Sequence, residues 1–174
     1  METYRVDVKS ILDALGESLE VAGTLPLPSL DVGDEHFGLR EPIRFRVTLT
    51  NGGTGVVGIG TVTAETVATC ARCLVEFPLT IDADVDGYYV KPGDTDDIPE
   101  EQEFGEIDSE GYVDILPAVM SALVLEAPFA PLHADDCPGI CPECGADRNT
   151  ERCDCFAGPD PDNPFAALAN FKPK

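Results

Sequence analysis

At 174 residues the chain is long enough for one domain with a real core, or for a domain with a small satellite. Lys and Arg number 11 against 33 Asp and Glu, a formal net charge of −22. That charge excludes gripping a phosphate backbone through a broad basic surface, and it favours basic proteins as partners. With 16 Gly, 15 Pro and no Trp, short strands and many turns are expected rather than a helical bundle.

The start, Met1-Glu-Thr-Tyr-Arg-Val-Asp-Val-Lys, has neither an apolar run nor a cleavage site, so no secretory signal is read there. The uncharged run Ile115 to Leu125 is too short to cross a bilayer. A soluble, cytoplasmic protein without membrane contact is expected. In a reducing compartment seven clustered cysteines bind metal more readily than they pair as disulfides.

Tyr4, Val6 and Val8 alternate as a first short strand, and Ile11, Leu12 and Leu15 suit a helical turn. Leu19, Val21 and Gly23 predict a second strand, ended by Pro26 and Pro28. Ile43, Phe45, Val47 and Leu49 alternate with Arg44, Arg46, Thr48 and Thr50, the pattern of a half-buried strand. Asn51-Gly52-Gly53 is a hairpin turn, and the return strand runs through Val57, Ile59 and Thr61 to Thr69. Cys70-Ala71-Arg72-Cys73 forms the next corner. Val75, Phe77, Leu79 and Ile81 then alternate, and Val85, Tyr88 and Val90 extend the strand after a change of phase at Gly87. Pro78 lies on the outward face and suggests an edge strand or a bulge. Strands joined by short turns make an antiparallel β meander, curled into a sheet or a partly open barrel.

Residues 91–111 carry nine acids with Pro92, Gly93 and Pro99, and read as a mobile acidic loop. A solvated loop is preferred to a ligand site, since the acids do not follow a calcium-loop spacing. Asp114 suits a helix cap and Pro117 the first turn. Leu116, Val119, Met120, Leu123 and Val124 recur at helical spacing, so one helix packs on the sheet until Pro128 and Pro131 end it. Asn163-Pro164 starts a short tail helix with Phe165, Leu168 and Phe171 on one stripe. The expected fold is α+β: a domain over 1–132, a zinc-ribbon-like module over 133–158, and a tail over 159–174.

Five of the seven cysteines lie between Cys137 and Cys155. Cys141-Pro142-Glu143-Cys144-Gly145 is the turn that zinc ribbons use, because two thiolates two residues apart reach one ion. Gly145 suits the positive φ that follows the second ligand. Cys153 and Cys155 close a tetrahedral four-thiolate shell for Zn²⁺. With no open position, such a site is structural. Cys70 and Cys73 have three readings: half of a second metal site, a structural turn, or a redox pair with Arg72 lowering a thiolate pKa. Cys70, Cys73 and Cys137 thus stand as the less favoured ligands. A set of Cys70, Cys73, Cys141 and Cys144 is a further arrangement. The local set is preferred because its loop closes at lower entropy cost, which leaves Cys137 as a spare sulfur. His133 ranks behind the four thiols close by, and a second zinc would draw in Cys70 and Cys73 with Cys137 or His133. No Gly-rich phosphate loop and no triad around His36 or His133 is found, so no catalytic residue is named.

Assembled, these pieces resemble the YceD family, the large ribosomal RNA subunit accumulation proteins. The resemblance rests on the early Val-Asp-Val strand, Cys70-Ala-Arg-Cys73-Leu, the acidic loop and Asp114-Ile-Leu-Pro117. It continues through Ala130-Pro-Leu-His and Asp136-Cys-Pro-Gly-Ile-Cys-Pro-Glu-Cys-Gly. The terminal cysteine cluster is similar to the Gram-positive, actinobacterial-like form. The resemblance implies a non-enzymatic role in ribosome biogenesis, with large-subunit ribosomal RNA accumulating as the outcome. Joined to the charge, it suggests binding of a basic large-subunit ribosomal protein or a pre-ribosomal particle, with ribosomal RNA associated indirectly and no small-molecule substrate. The rival readings are a direct RNA binder using Arg40, Arg44 and Arg46, and a dithiol oxidoreductase at Cys70 and Cys73.

Overall fold

Alternation in the chain becomes strand wherever it is strict. The computed structural model describes residues 3–93 and 104–155 and, among these, holds nine strands and two helices. They run β1 Arg5–Asp7, α1 Lys9–Leu12, β2 Ser18–Leu25, β3 Ser29–Val32, β4 Glu35–Leu39 and β5 Ile43–Asn51. Then follow β6 Val56–Thr69, β7 Glu76–Val90, β8 Gly105–Glu106, β9 Tyr112–Asp114 and α2 Leu116–Glu126. Residues 159–174, with Phe165, Leu168 and Phe171, and residues 94–103 of the acidic loop lie outside the described residues.

β5, β6 and β7 form the expected antiparallel meander, and β2 pairs with β5 on the far side. β6 pairs with β7 from Val56↔Tyr89 to Thr69↔Glu76. Its distal end also takes the β3–β4 hairpin through Gly38↔Val67 and Leu39↔Thr66. β8 joins β7 in parallel at Tyr89 and Val90, while β1 and β9 form a separate two-stranded ladder. The larger sheet does not close on itself, which agrees with the expected curled sheet or partly open barrel. Pro78 sits in the part of β7 that has no second strand partner among the described residues, as a residue without an N–H should.

Ile43, Phe45, Val47 and Leu49 of β5 point into the core with Val62, Ala64, Ile81, Ala83 and Val85. α2 covers this face with Val119, Ala122 and Leu123. Burying such a side chain contributes about 1.5–3 kcal/mol, so this face is the main source of stability. The turn after β5 is fixed by Asn51. Its side-chain amide donates to the carbonyls of Ile11, Leu12 and Ala14 at 2.8, 3.1 and 3.2 Å, and its Oδ1 accepts the Gly53 N–H at 2.8 Å. One buried amide therefore ties α1 to the β5–β6 corner.

The structure corrects two expectations, refines a third and adds an element. The strand phase does not shift at Gly87: Gly87 opposes Gly58 and Tyr89 opposes Val56, so the inward face continues, with the Tyr89 ring filling the space that Gly87 leaves. Val124 faces outward and Ala122 takes its place in the apolar stripe. Asp114 caps α2 from one residue before the N-cap position, its Oδ1 accepting the N–H groups of Leu116 and Tyr4 at 3.0 and 2.9 Å. The β3–β4 hairpin was not expected at all. No helix among the described residues is long and apolar enough to cross a membrane.

Candidate metal centre

The cysteines are presented by two turns of one design. In Cys141-Pro-Glu-Cys144-Gly145 the Gly145 N–H donates to the Cys141 carbonyl at 2.9 Å, and the Cys141 N–H to the Ala146 carbonyl at 2.9 Å. Gly145 has φ +75°, the left-handed region that glycine enters freely. In Cys70-Ala-Arg-Cys73-Leu74 the Leu74 N–H donates to the Cys70 carbonyl at 2.9 Å, and the Cys70 N–H to the Val75 carbonyl at 2.9 Å. Leu74 has φ 62° and, among the described residues, is the one non-glycine at positive φ. Such a turn folds backbone amides towards the sulfurs, where they offset thiolate charge.

Two sets of donors converge. Cys141, Cys144, Cys153 and Cys155 form one, and Cys70, Cys73, His133 and Cys137 the other; within each set the donor atoms lie within 4.8 Å of one another. Four ligands at about 2.3 Å from a tetrahedral ion stand roughly 3.7 Å apart, so both sets have dimensions that suit zinc. In the second set Cys70 Sγ lies 3.9 Å from Cys137 Sγ, and Cys73 Sγ 3.4 Å from His133 Nδ1. Cys137, the spare sulfur of the preferred reading, and His133, ranked there behind the thiols, are its third and fourth members. The mixed set of Cys70, Cys73, Cys141 and Cys144 is not assembled.

The chain after α2 is held to the β6–β7 corner by main-chain bonds. The Ala71 N–H donates to the Pro131 carbonyl at 2.8 Å, and the Ile140 N–H to the Arg72 carbonyl at 3.0 Å. The Arg72 guanidinium donates to the carbonyls of Asp135 and Cys137 at 3.1 and 3.0 Å. Its charge is thus spent on carbonyl oxygens, not on activating a thiol. Cys70, Cys73 and Cys137 are buried together against Phe77, Leu132 and Ile140. Asn149 Nδ2 approaches Cys137 Sγ at 3.7 Å, and an Ile140↔Asp147 bridge closes the loop that carries Cys141 and Cys144.

Thiol acidity in both sets is split. Burial pushes the Cys70 thiol up, but hydrogen bonds from the His133 ring and from the backbone N–H groups of His133, Arg72 and Cys73 bring it to about 5. Burial and the neighbouring sulfurs of Cys70 and Cys137 push Cys73 up. Backbone N–H groups of Cys144 and Glu143 pull Cys141 to about 7. Cys155, beside Cys144 and partly desolvated, is pushed up to about 12, and Cys153 is raised by Cys141. Sulfurs packed this closely cannot all ionise unaided, and a cation among them removes the conflict.

Of the three arginines of the rival RNA patch, Arg44 and Arg46 are neutralised, while Arg40 has no carboxylate partner among the described residues. Arg46 pairs with Glu20 at 2.7 Å, and Arg44 pairs with Glu41 at 3.0 Å and Glu65 at 3.6 Å. Two strands away, across β6, the same outer face carries Asp82, Asp84 and Asp86, all exposed. Their register partners are Thr63, Thr61 and the 63 %-exposed Ile59. Thr63 donates to Asp82 at 2.6 Å, and among the described residues no Lys or Arg pairs with the three acids. The alternation of β7 held this signal, since residues two apart share a face.

The family model "Large ribosomal RNA subunit accumulation protein YceD" matches residues 59–172. The uncharacterized proteins Mb2951c of Mycobacterium bovis and Rv2926c of Mycobacterium tuberculosis are each 38% identical over 98 residues, covering 56% of this chain and 47% of the relative. The uncharacterized protein ML1660 of Mycobacterium leprae is 31% identical over 104 residues, covering 60% and 48%. The chain therefore spans about half the length of the curated relatives it matches. No solved structure matches it with significance.

Proposed function

This chain belongs to the YceD family, and on that premise we propose that it is a non-catalytic, cytoplasmic ribosome-biogenesis factor supporting accumulation of large-subunit ribosomal RNA by binding a basic large-subunit ribosomal protein. The observation that carries the reading is the contrast on the outer sheet face: Arg44 and Arg46 are paired with carboxylates, while Asp82, Asp84 and Asp86 have no cation beside them among the described residues. A phosphate backbone meets net negative charge there, whereas a Lys- or Arg-rich segment finds a row of acids at a spacing of about 7 Å flanked by exposed Ile59. Cys141, Cys144, Cys153 and Cys155 hold a structural Zn²⁺ that orders the segment after Cys137. The test is titration of the purified protein against basic large-subunit ribosomal proteins and against naked ribosomal RNA, each at two salt concentrations. Salt-sensitive protein binding with weak RNA binding is expected. Tight RNA binding lost in Arg44→Ala/Arg46→Ala, with no affinity for any basic ribosomal protein, overturns the reading.

A further inference from the structure

We propose that Cys70, Cys73, His133 and Cys137 form a second zinc site, independent of the four-cysteine set, which rivets the β6–β7 corner to the chain after α2. The Cys70–Leu74 turn repeats the hydrogen bonds of the Cys141–Gly145 turn donor for donor, and it holds a leucine at φ 62° to do so. Leu74 is 64 % exposed, so no burial of its side chain accounts for that backbone. A left-handed leucine costs about 1–2 kcal/mol, and a ligand that needs the turn is a reason to retain it.

A redox pair fits the site poorly. Reactive dithiols expose a sulfur at a helix start, whereas Cys70 and Cys73 are 0 % and 7 % exposed between two strands. Three thiolates and one imidazole match zinc, and with every position filled by protein no place is left for water or substrate. The position of the site gives it a task. Between Leu132 and Cys155 the described chain has one isolated bridge and contributes only Leu132, Cys137 and Ile140 to the small apolar cluster under the corner. A segment with so little core of its own is held by a cross-link, and here the link spans 67 residues between Cys70 and Cys137.

The experiment uses the whole chain, purified under reducing conditions with zinc present. Native mass spectrometry should find two zinc ions, and the ¹¹³Cd-exchanged protein should give two resonances, one from four sulfurs and one from three sulfurs and a nitrogen. Cys137→Ser and His133→Ala should each remove the mixed-ligand resonance and keep the other, and Cys153→Ser should do the reverse. Proteolysis should open the chain from about Pro131 in Cys137→Ser, but only beyond Cys141 in Cys153→Ser. If a variant fails to fold, the wild-type spectrum decides alone. A single four-sulfur resonance, or a Cys70–Cys137 disulfide in the reduced preparation, overturns the second site while leaving the first intact.

Discussion

Leu74 and Gly145 occupy the same backbone station in two cysteine turns, at φ 62° and φ 75°, each donating its N–H to the carbonyl of the first cysteine at 2.9 Å. One station has the residue that steric rules favour and the other does not. Leu74→Gly should therefore keep the full metal content and leave the unfolding free energy equal or higher, by up to about 1 kcal/mol, because relief of strain is partly offset by backbone entropy. Leu74→Val should lower it by about 1 kcal/mol or more, since a β-branched residue tolerates positive φ worst. Denaturant titration with zinc quantified on the same samples checks both. A Leu74→Gly protein that loses metal would show that the leucine side chain itself supports the turn.

How far the chain could be read depended on whether a signal was local. β5, β6 and β7 follow strict alternation and an Asn-Gly turn, so their pairing is visible in the residues alone. The β3–β4 hairpin is shorter. Leu30 and Val32 oppose Phe37 and Glu35 around Gly33, and the five-residue β4 mixes Glu35, His36 and Gly38 into its pattern. The Cys141–Gly145 turn was legible for the same local reason. The grouping of Cys70 and Cys73 with Cys137 or His133 ranks lower in the sequence, because loop entropy favours near neighbours. The fold removes that penalty: pairing of β6 with β7 and packing of α2 bring residues 67 apart to 3.9 Å.

Asn51 offers a test of the corner at the other end of β6 from Cys70 and Cys73. Its amide satisfies three carbonyls of the α1 segment and one N–H of the turn while only 8% exposed. Asn51→Ala strands these groups and should cost about 1–3 kcal/mol in urea unfolding. Asn51→Asp should cost more, because it turns a carboxylate towards three carbonyl oxygens. Equal stability of wild type and Asn51→Ala would show that water replaces the amide at no cost.

Asp108 sets an acid-side dependence. The Tyr112 N–H, the Arg5 guanidinium and the Glu110 N–H hold its carboxyl below the usual range, against an opposing effect of burial. Its folded pKa is depressed, so the stabilisation is fully present above the unfolded carboxylate value of about 3.9 and is lost as pH falls through the folded value. Asp108→Asn should therefore be less stable than wild type at neutral pH, with the gap closing as pH falls into that window. Urea midpoints for both proteins from neutral pH down through that window, on samples whose zinc content is measured, check this; a gap that widens in acid contradicts the assignment.

Asp82, Asp84 and Asp86 separate a functional charge from a merely solubilising one. Three acids on one face of one strand repel each other, and no cation among the described residues relieves them. Replacing all three by asparagine keeps their size, and the new amide oxygen in Asp82→Asn can still accept from Thr63, so the fold should be unchanged or slightly more stable. Association with a basic ribosomal protein should slow markedly at low salt, with a smaller change in dissociation, because exposed charges act mainly on encounter and are screened within about 8 Å at physiological ionic strength. Ile59→Ser, opposite Asp86, should instead speed dissociation, since it removes apolar contact and no charge. Stopped-flow binding at two salt concentrations, with thermal unfolding of the same variants, reads both effects. If the triple variant associates as fast as wild type, the ladder serves solubility and the partner docks elsewhere on the chain.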